Sequence, residues 1–317
     1  MEVKVETAAV LAALSINDEN KLEMSNDDQL LISVIELLKV SDTRCLRQAM
    51  GCLANLSERQ ECHPFLRRFQ IHVVVLDHIS NEDIALGREV TRVLTNLAAV
   101  HDNHPPLIGG GAIGGLALGC AKKDAVSARF SALGLMNLST LQENHRDIVA
   151  AKTYEPLIDL AEGAERFWYT LDSVGQIAEM RGDTEPDSPR AKKDWDFIME
   201  HKYDKEARRY AVLALGNLAI SPLSHGPLMQ ERCINALNLC LDSPDEETRF
   251  NAAFCLNKLA IVEENIEFIG ESGAIPRLIN MLNLMDHPDG VAQATAVLRH
   301  LAMRVENRVL MLQANVL

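Results

Sequence analysis

An all-helical stacked solenoid is the fold class this sequence predicts, and three observations predict it. A short phrase recurs along the 317 residues: Leu53-Ala54-Asn55-Leu56-Ser57, Leu94 to Ala98, Leu135 to Ser139, Val174 to Ala178, Leu215 to Ala219, Leu256 to Ala260 and Leu298 to Ala302. Its centres, at 55, 96, 137, 176, 217, 258 and 300, step by 41, 41, 39, 41, 41 and 42 residues, and an eighth copy, Leu11 to Ser15, is centred near 13. A period near forty marks an array in which each unit packs only on its neighbours. The composition is 47% apolar but only 4% aromatic, which suits thin layers of aliphatic side chains better than one large centre. The apolar residues also keep helical spacing. Taking each centre as zero, they sit at −2 and +1, on one helix face, and +2 is Ala or Ser in all eight copies, so that a neighbouring backbone can come close.

Each unit can be read in order. The phrase closes a long helix, whose buried stripe is −2 and +1. Seven residues after the centre stand Asn20, Asn103, Asn144, Asn265 and Asn307, with Cys62, Asp183 and Ser224 in the other copies. Asn, Asp and Ser cap helix starts by accepting from a free backbone N–H, so a short helix is expected to open there. A turn and a second helix follow, clearest where Gly273 can end one helix and Pro276 can open the next. The third and longest helix returns to the phrase. The same frame absorbs Gly109 to Gly114, which matches a dinucleotide-binding pattern by letter but aligns with Gly270 to Pro276 and reads as an interhelix turn.

Bulk properties narrow the function classes. A net charge of −14 disfavours a general grip on nucleic-acid phosphates. No apolar run reaches the roughly 18 residues that span a bilayer, and Met1 to Lys4 carry no signal-peptide pattern. Seven cysteines at irregular spacings, several inside helical apolar patterns, read as reduced thiols in a cytoplasmic or nuclear protein. His101 and His104 make too sparse a pair for a metal site, and no nucleophile, phosphate-loop or zinc motif appears, so no enzyme, cofactor or metal is expected.

Glu247 to Leu301, with Asn251-Ala252-Ala253, Leu256 to Ala260, Glu264-Asn265 and Gly273-Ala274-Ile275-Pro276, resembles the armadillo repeat, of the kind found in β-catenin and vacuolar armadillo proteins. The resemblance covers essentially the whole chain, 1–317, as one array of about seven to eight three-helix repeats. It implies a right-handed superhelix whose third helices line a concave groove for extended peptides. Importin-like recognition of basic signals depends in that family on a Trp four residues before each groove Asn. Here Gly51, Arg92, Leu133 and Leu213 stand there, so that subtype is not expected.

On a helical wheel the centre points away from the packed stripe, and −4, −7 and −8 share its side. The expected groove therefore carries Asn55, Asn96, Asn137, Gln176, Asn217 and Lys258, then Arg47, Arg88, Arg129 and Arg209 with Arg92, and the aromatics Trp168, Tyr169, Tyr210 and Phe250. Carboxamides both donate and accept, so a row of them can pair with a peptide backbone. Arginines facing a ligand would favour acidic segments; they can instead interlock with carboxylates of adjacent units. The expected role is a scaffold or adaptor that binds an acidic extended segment of another protein, and the alternative is a structural spacer without a dedicated ligand. Two departures complete the pattern. Residues 181–205 read as a degenerate unit with a mobile polar loop around Ser188-Pro189, and the apolar ends, Val3 to Leu14 and Val309 to Leu317, suggest a longer parent chain or end-to-end self-association.

Overall fold

A computed structural model of the protein describes all residues except 123, 164–203, 285–287 and 315–317. Every regular element among the described residues is helical. The chain divides into two compact units, Met1–Asp147 and Ile148–Leu317. Trp168, Tyr169, Gln176 and the expected degenerate stretch lie outside the described residues up to 203.

The first unit holds α1 (Glu2–Leu14), α2 (Asp18–Asn26), α3 (Asp28–Leu38), α4 (Thr43–Ser57), α5 (His63–Arg68), α6 (Ile71–Leu76), α7 (Ile84–Ala98), α8 (His104–Gly109), α9 (Ala112–Ala121) and α10 (Ala125–Ser139). Next come α11 (His145–Ala150) and α12 (Tyr154–Glu162). Beyond the undescribed stretch are α13 (Lys205–Leu218), α14 (His225–Leu228), α15 (Glu231–Leu241), α16 (Glu246–Ala260), α17 (Glu263–Glu271), α18 (Ala274–Leu284), α19 (Pro288–Leu301) and α20 (Val305–Gln313). The short, medium, long order repeats as the sequence predicts, except that α5 and α6 are both six residues long. Third helices pack on third helices: α1, α4, α7 and α10 in the first unit, and α13, α16 and α19 in the second.

The sequence periodicity explains that packing. Leu53, Leu56, Leu94, Leu135 and Leu138, at −2 and +1, are at most 1% exposed, and the small +2 residues Ser57, Ala98, Ser139, Ala219 and Ala260 are buried with them. Each buried leucine contributes about 1.5–3 kcal/mol. Gly111 and Gly273 adopt φ of 89° and 85°, a left-handed geometry that opens α9 and α18 with no Cβ penalty. The glycine-rich run is thus an interhelix turn. All seven cysteines are free and buried, and burial pushes the Cys52 thiol up to about 11.

Asparagine at +7 behaves differently from the expectation. Asn103 occupies the N-cap position of α8, yet its side chain caps nothing. Its Nδ2 donates instead to the Leu97 carbonyl at 2.9 Å, at the end of the preceding long helix. Asn20, Asn144, Asn265 and Asn307 make the same bond to the carbonyls of Leu14, Leu138, Leu259 and Leu301. The last turn of a helix leaves carbonyls short of donors, and the side-chain amide adds one, so these residues close one helix rather than open the next.

Candidate functional site

The exposed face of the third helices is where the sequence places a ligand. In the first unit it carries Asn55 on α4, Asn96 on α7 and Asn137 on α10, all half-buried. Two of these amides are already occupied. Asn55 Nδ2 donates to Ser15 Oγ at 3.0 Å and Asn96 Nδ2 to Ser57 Oγ at 3.0 Å, each reaching back to the +2 residue of the preceding repeat. Asn55 Oδ1 also accepts from Arg92 Nη2 at 2.6 Å. The +2 residue before Asn137 is Ala98, which has no hydroxyl, and among the described residues the Asn137 side chain has no partner. In this unit a Ser at +2 of the preceding repeat accompanies a tied amide and an Ala accompanies the untied one.

The arginines at −8 are interlocked with carboxylates, one of the two arrangements the sequence left open. Arg47 pairs with Asp83, Arg88 with Asp124 (Nη2 to Oδ1, 2.7 Å) and Arg209 with Asp245 (2.6 Å). Each partner is also the N-cap of the next long helix: Asp83 accepts from Leu86 N, Asp124 from Ser127 N and Asp245 from Thr248 N. One carboxylate thus fixes a helix start and clasps it to the preceding repeat. Arg92 is bound to Asn55 and lies 3.2 Å from Glu89. Arg129 lies 6.0 Å from the Phe130 ring and has a further partner. Arg47, Arg88, Arg92 and Arg209 therefore do not present free positive charge, and the ladder loses its reason to prefer acidic segments.

In the second unit Asn217 is half-buried and partnered, Lys258 Nζ stands 5.1 Å from the Phe254 ring, and Tyr210 and Phe250 are half-buried. Residues 1–147 also hold a polar cleft of about 1070 Å³ between Lys21, Arg59, Arg67 and Asp102. Its cations are engaged as well: Lys21 pairs with Asp18 and Glu58, at 2.7 and 2.8 Å, and Arg67 donates to the Asp102 carbonyl. No group of three or more potential metal ligands occurs among the described residues.

The capping aspartates were missed in the sequence although their signal is plain. Asp42, Asp83, Asp124, Asp204 and Asp245 each lie 13 residues before a centre, and all accept backbone N–H bonds at the start of a long helix. Their arginines lie 36 residues earlier, at 47, 88 and 209. Replacing Asp124 with Ala should lower the stability of the first unit by about 1–2 kcal/mol, the usual cost of a lost cap plus a half-exposed ion pair, readable as a lower urea midpoint. Arg88 and the bonds at the cap hold Asp124 below its usual 3.8, against the upward effect of burial, and the same balance brings Asp245 to about 2. Depressed carboxylates stabilise fully above their unfolded value and lose that contribution as pH falls through the folded one. Acid titration should therefore weaken the clasps only below about pH 4.

The model of the Armadillo/beta-catenin-like repeat family matches residues 263–303. No curated protein sequence matches the chain significantly. Among solved structures the chain is similar to computationally designed armadillo repeat proteins for modular peptide recognition, at 17% identity and a TM-score of 0.67, covering 84% of this chain and 98% of that one. An engineered protein aligns at 18% identity and a TM-score of 0.67, over 88% of this chain and all of the other. A designed armadillo repeat protein described in complex with the peptide (KR)4 aligns at 17% identity and a TM-score of 0.64, over 84% and 98%.

Proposed function

We propose, from the premise that this chain is an armadillo-repeat solenoid, that it is a non-enzymatic scaffold or adaptor holding an extended segment of another protein along its third helices. The observation that carries the reading is the line of half-buried amides on α4, α7 and α10, with Asn137 left free to donate and accept. Such a pair of bonds to a peptide backbone reads no side chain, so affinity accumulates over several repeats. The complex described for one similar structure, with the extended peptide (KR)4, supports the binding mode. Charge preference in this chain has no such support, because its groove arginines are paired. Free, buried thiols favour a reducing compartment, cytoplasmic or nuclear.

A selection of random 12-residue peptides displayed on phage against the full chain tests this. Enriched peptides should lose about tenfold in affinity on Asn137→Ala, the equivalent of roughly 1.4 kcal/mol. Enrichment that is indifferent to Asn96→Ala and Asn137→Ala would end the reading. A second reading, a structural spacer, is favoured by one observation: Asn55, Asn96 and the three arginine clasps all spend their bonds between repeats. The spacer predicts no enrichment at all.

A further inference from the structure

A row of histidines stands one residue after the +7 positions, and nothing in peptide binding uses it. His63, His104, His145 and His225 stand at +8, and each Nε2 bonds to the carbonyl six residues back: Ser57 at 2.8 Å, Ala98 at 2.9 Å, Ser139 at 2.7 Å and Ala219 at 2.8 Å. In His63, His104 and His225 the other ring nitrogen reaches forward by one repeat. Asn103 Nδ2 lies 2.8 Å from His63 Nδ1, Asn144 Nδ2 lies 2.9 Å from His104 Nδ1, and Asn265 Nδ2 lies 3.4 Å from His225 Nδ1.

The partners settle where the protons are. A carbonyl only accepts, so Nε2 carries the hydrogen in each ring. Asn103 is oriented from both sides: its Oδ1 accepts from Arg67 Nη1 at 3.1 Å, and its Nδ2 donates to the Leu97 carbonyl. The same Nδ2 must then donate to His63 Nδ1, which is held as a bare lone pair. For Asn144 the Leu138 carbonyl fixes Nδ2 in the same way. A second proton on either imidazole would set one N–H against another, inside a site where His63, His104, Asn103 and Asn144 are all buried.

We infer that the pairs His63–Asn103 and His104–Asn144 are proton-operated fasteners between successive repeats, closed when the imidazole is neutral and opened by mild acid. The inference is independent of any peptide ligand. Around His63 the charged groups are Glu61 and Arg67 on its own segment, Asp18 and Lys21 on α2, Glu58 and Arg59 after α4, and Asp102 before α8. Three cations face four carboxylates, with Lys21 paired to Asp18 and Glu58, Arg59 to Glu61, and Arg67 bound to the Asp102 carbonyl, so the charges nearly cancel. His104 has His101 edge-on at 5.1 Å between ring centroids. Burial pushes both His63 and His104 below the usual 6.5, outweighing the bonds to Ser57 and Ala98. A depressed histidine stabilises fully above its unfolded value, and that contribution falls away as pH drops from about 6.5 through the folded value. The carboxylate clasps hold through this range and weaken only below about pH 4, so the loss that begins near pH 6.5 belongs to the histidines.

Hydrogen exchange of the full chain, corrected for intrinsic rates, tests the inference between pH 7.5 and 5. Protection in α4, α7 and α10 should fall by about tenfold for each histidine depressed by one pKa unit. His72, buried, and His78, half-buried, are also lowered, and they remain in the variant His63→Gln/His104→Gln, which should lose the part of the fall due to the pair. A variant as acid-sensitive as the parent overturns the inference, as does protection in the parent that is flat across this range. Should the double variant not fold, Asn103→Asp supplies the second test. A carboxylate beside Nδ1 favours the doubly protonated ring, so the His63 midpoint followed by NMR should rise above its parent value, and an unmoved midpoint overturns the inference.

Discussion

Leu94→Ala should lower the unfolding free energy of the 1–147 unit by about 2–5 kcal/mol, the range for a buried leucine truncated in a rigid surrounding. The side chain is 0% exposed and lies in the C-terminal half of α7, which packs on both α4 and α10. Its Cδ1 lies 3.8 Å from where a Cβ on Gly115 would stand, so α9 packs directly over it as well. Three helices would have to move together to fill the space, and each is held by its own repeat. In a stacked array the stability of one repeat depends on its two interfaces, so a void in the central helix weakens both. Leu118 on α9 is the natural control, because it is 54% exposed, and Leu118→Ala should change stability by no more than about 0.5 kcal/mol. Urea unfolding of both variants decides the matter. Equal midpoints for the two would contradict the assignment of −2 and +1 as the buried stripe.

That stripe was legible in the sequence because burial writes itself as periodicity. Leu53, Leu94 and Leu135 recur at a fixed interval and on a fixed helix face, and no distant information is needed to see either. The glycine turn at Gly111 was legible for the same reason: it aligns with Gly273, and both adopt the left-handed geometry that glycine permits. The candidate site was harder to read. A wheel gives the direction in which Asn96 or Arg88 leaves its helix, but not which group of a neighbouring repeat it meets. Arg88 finds Asp124 only because a residue 36 positions later caps the next long helix, a relation that depends on how repeats stack rather than on any local pattern. Likewise Asn96 and Asn137 are the same residue in the same register, yet Asn96 reaches the Ala54 carbonyl and the Ser57 hydroxyl of the preceding repeat, whereas Ala98 offers Asn137 no hydroxyl and the amide has no partner among the described residues. The asparagine at +7 misled for a related reason. Its residue type and position suit a helix cap, yet its amide turns back to the Leu97 carbonyl at the end of the preceding long helix.

Asn144→Ala is expected to cost about 2–4 kcal/mol, more than an ordinary polar truncation, because one amide closes two gaps. Its Nδ2 donates to the Leu138 carbonyl at 2.8 Å and to His104 Nδ1 at 2.9 Å, and both acceptors are buried. Removing the donor leaves each of them unsatisfied, at about 1–3 kcal/mol apiece, and the methyl that replaces it can supply no bond. Asn307 provides the internal comparison. It is equally buried and donates to the Leu301 carbonyl at 2.9 Å, but the residue at +8 of the repeat before it is Ile266, so no imidazole waits for its second hydrogen. The Leu301 carbonyl also accepts from Arg304 N at 3.2 Å, so Asn307→Ala should cost less than half as much, about 1 kcal/mol, in the 148–317 unit. The ratio is more telling than either value, since both substitutions delete the same atoms from the same position of a repeat. Thermal or urea unfolding that found the two losses equal would mean that the bond to His104 contributes nothing, and the column of histidines would then be packing rather than fastening.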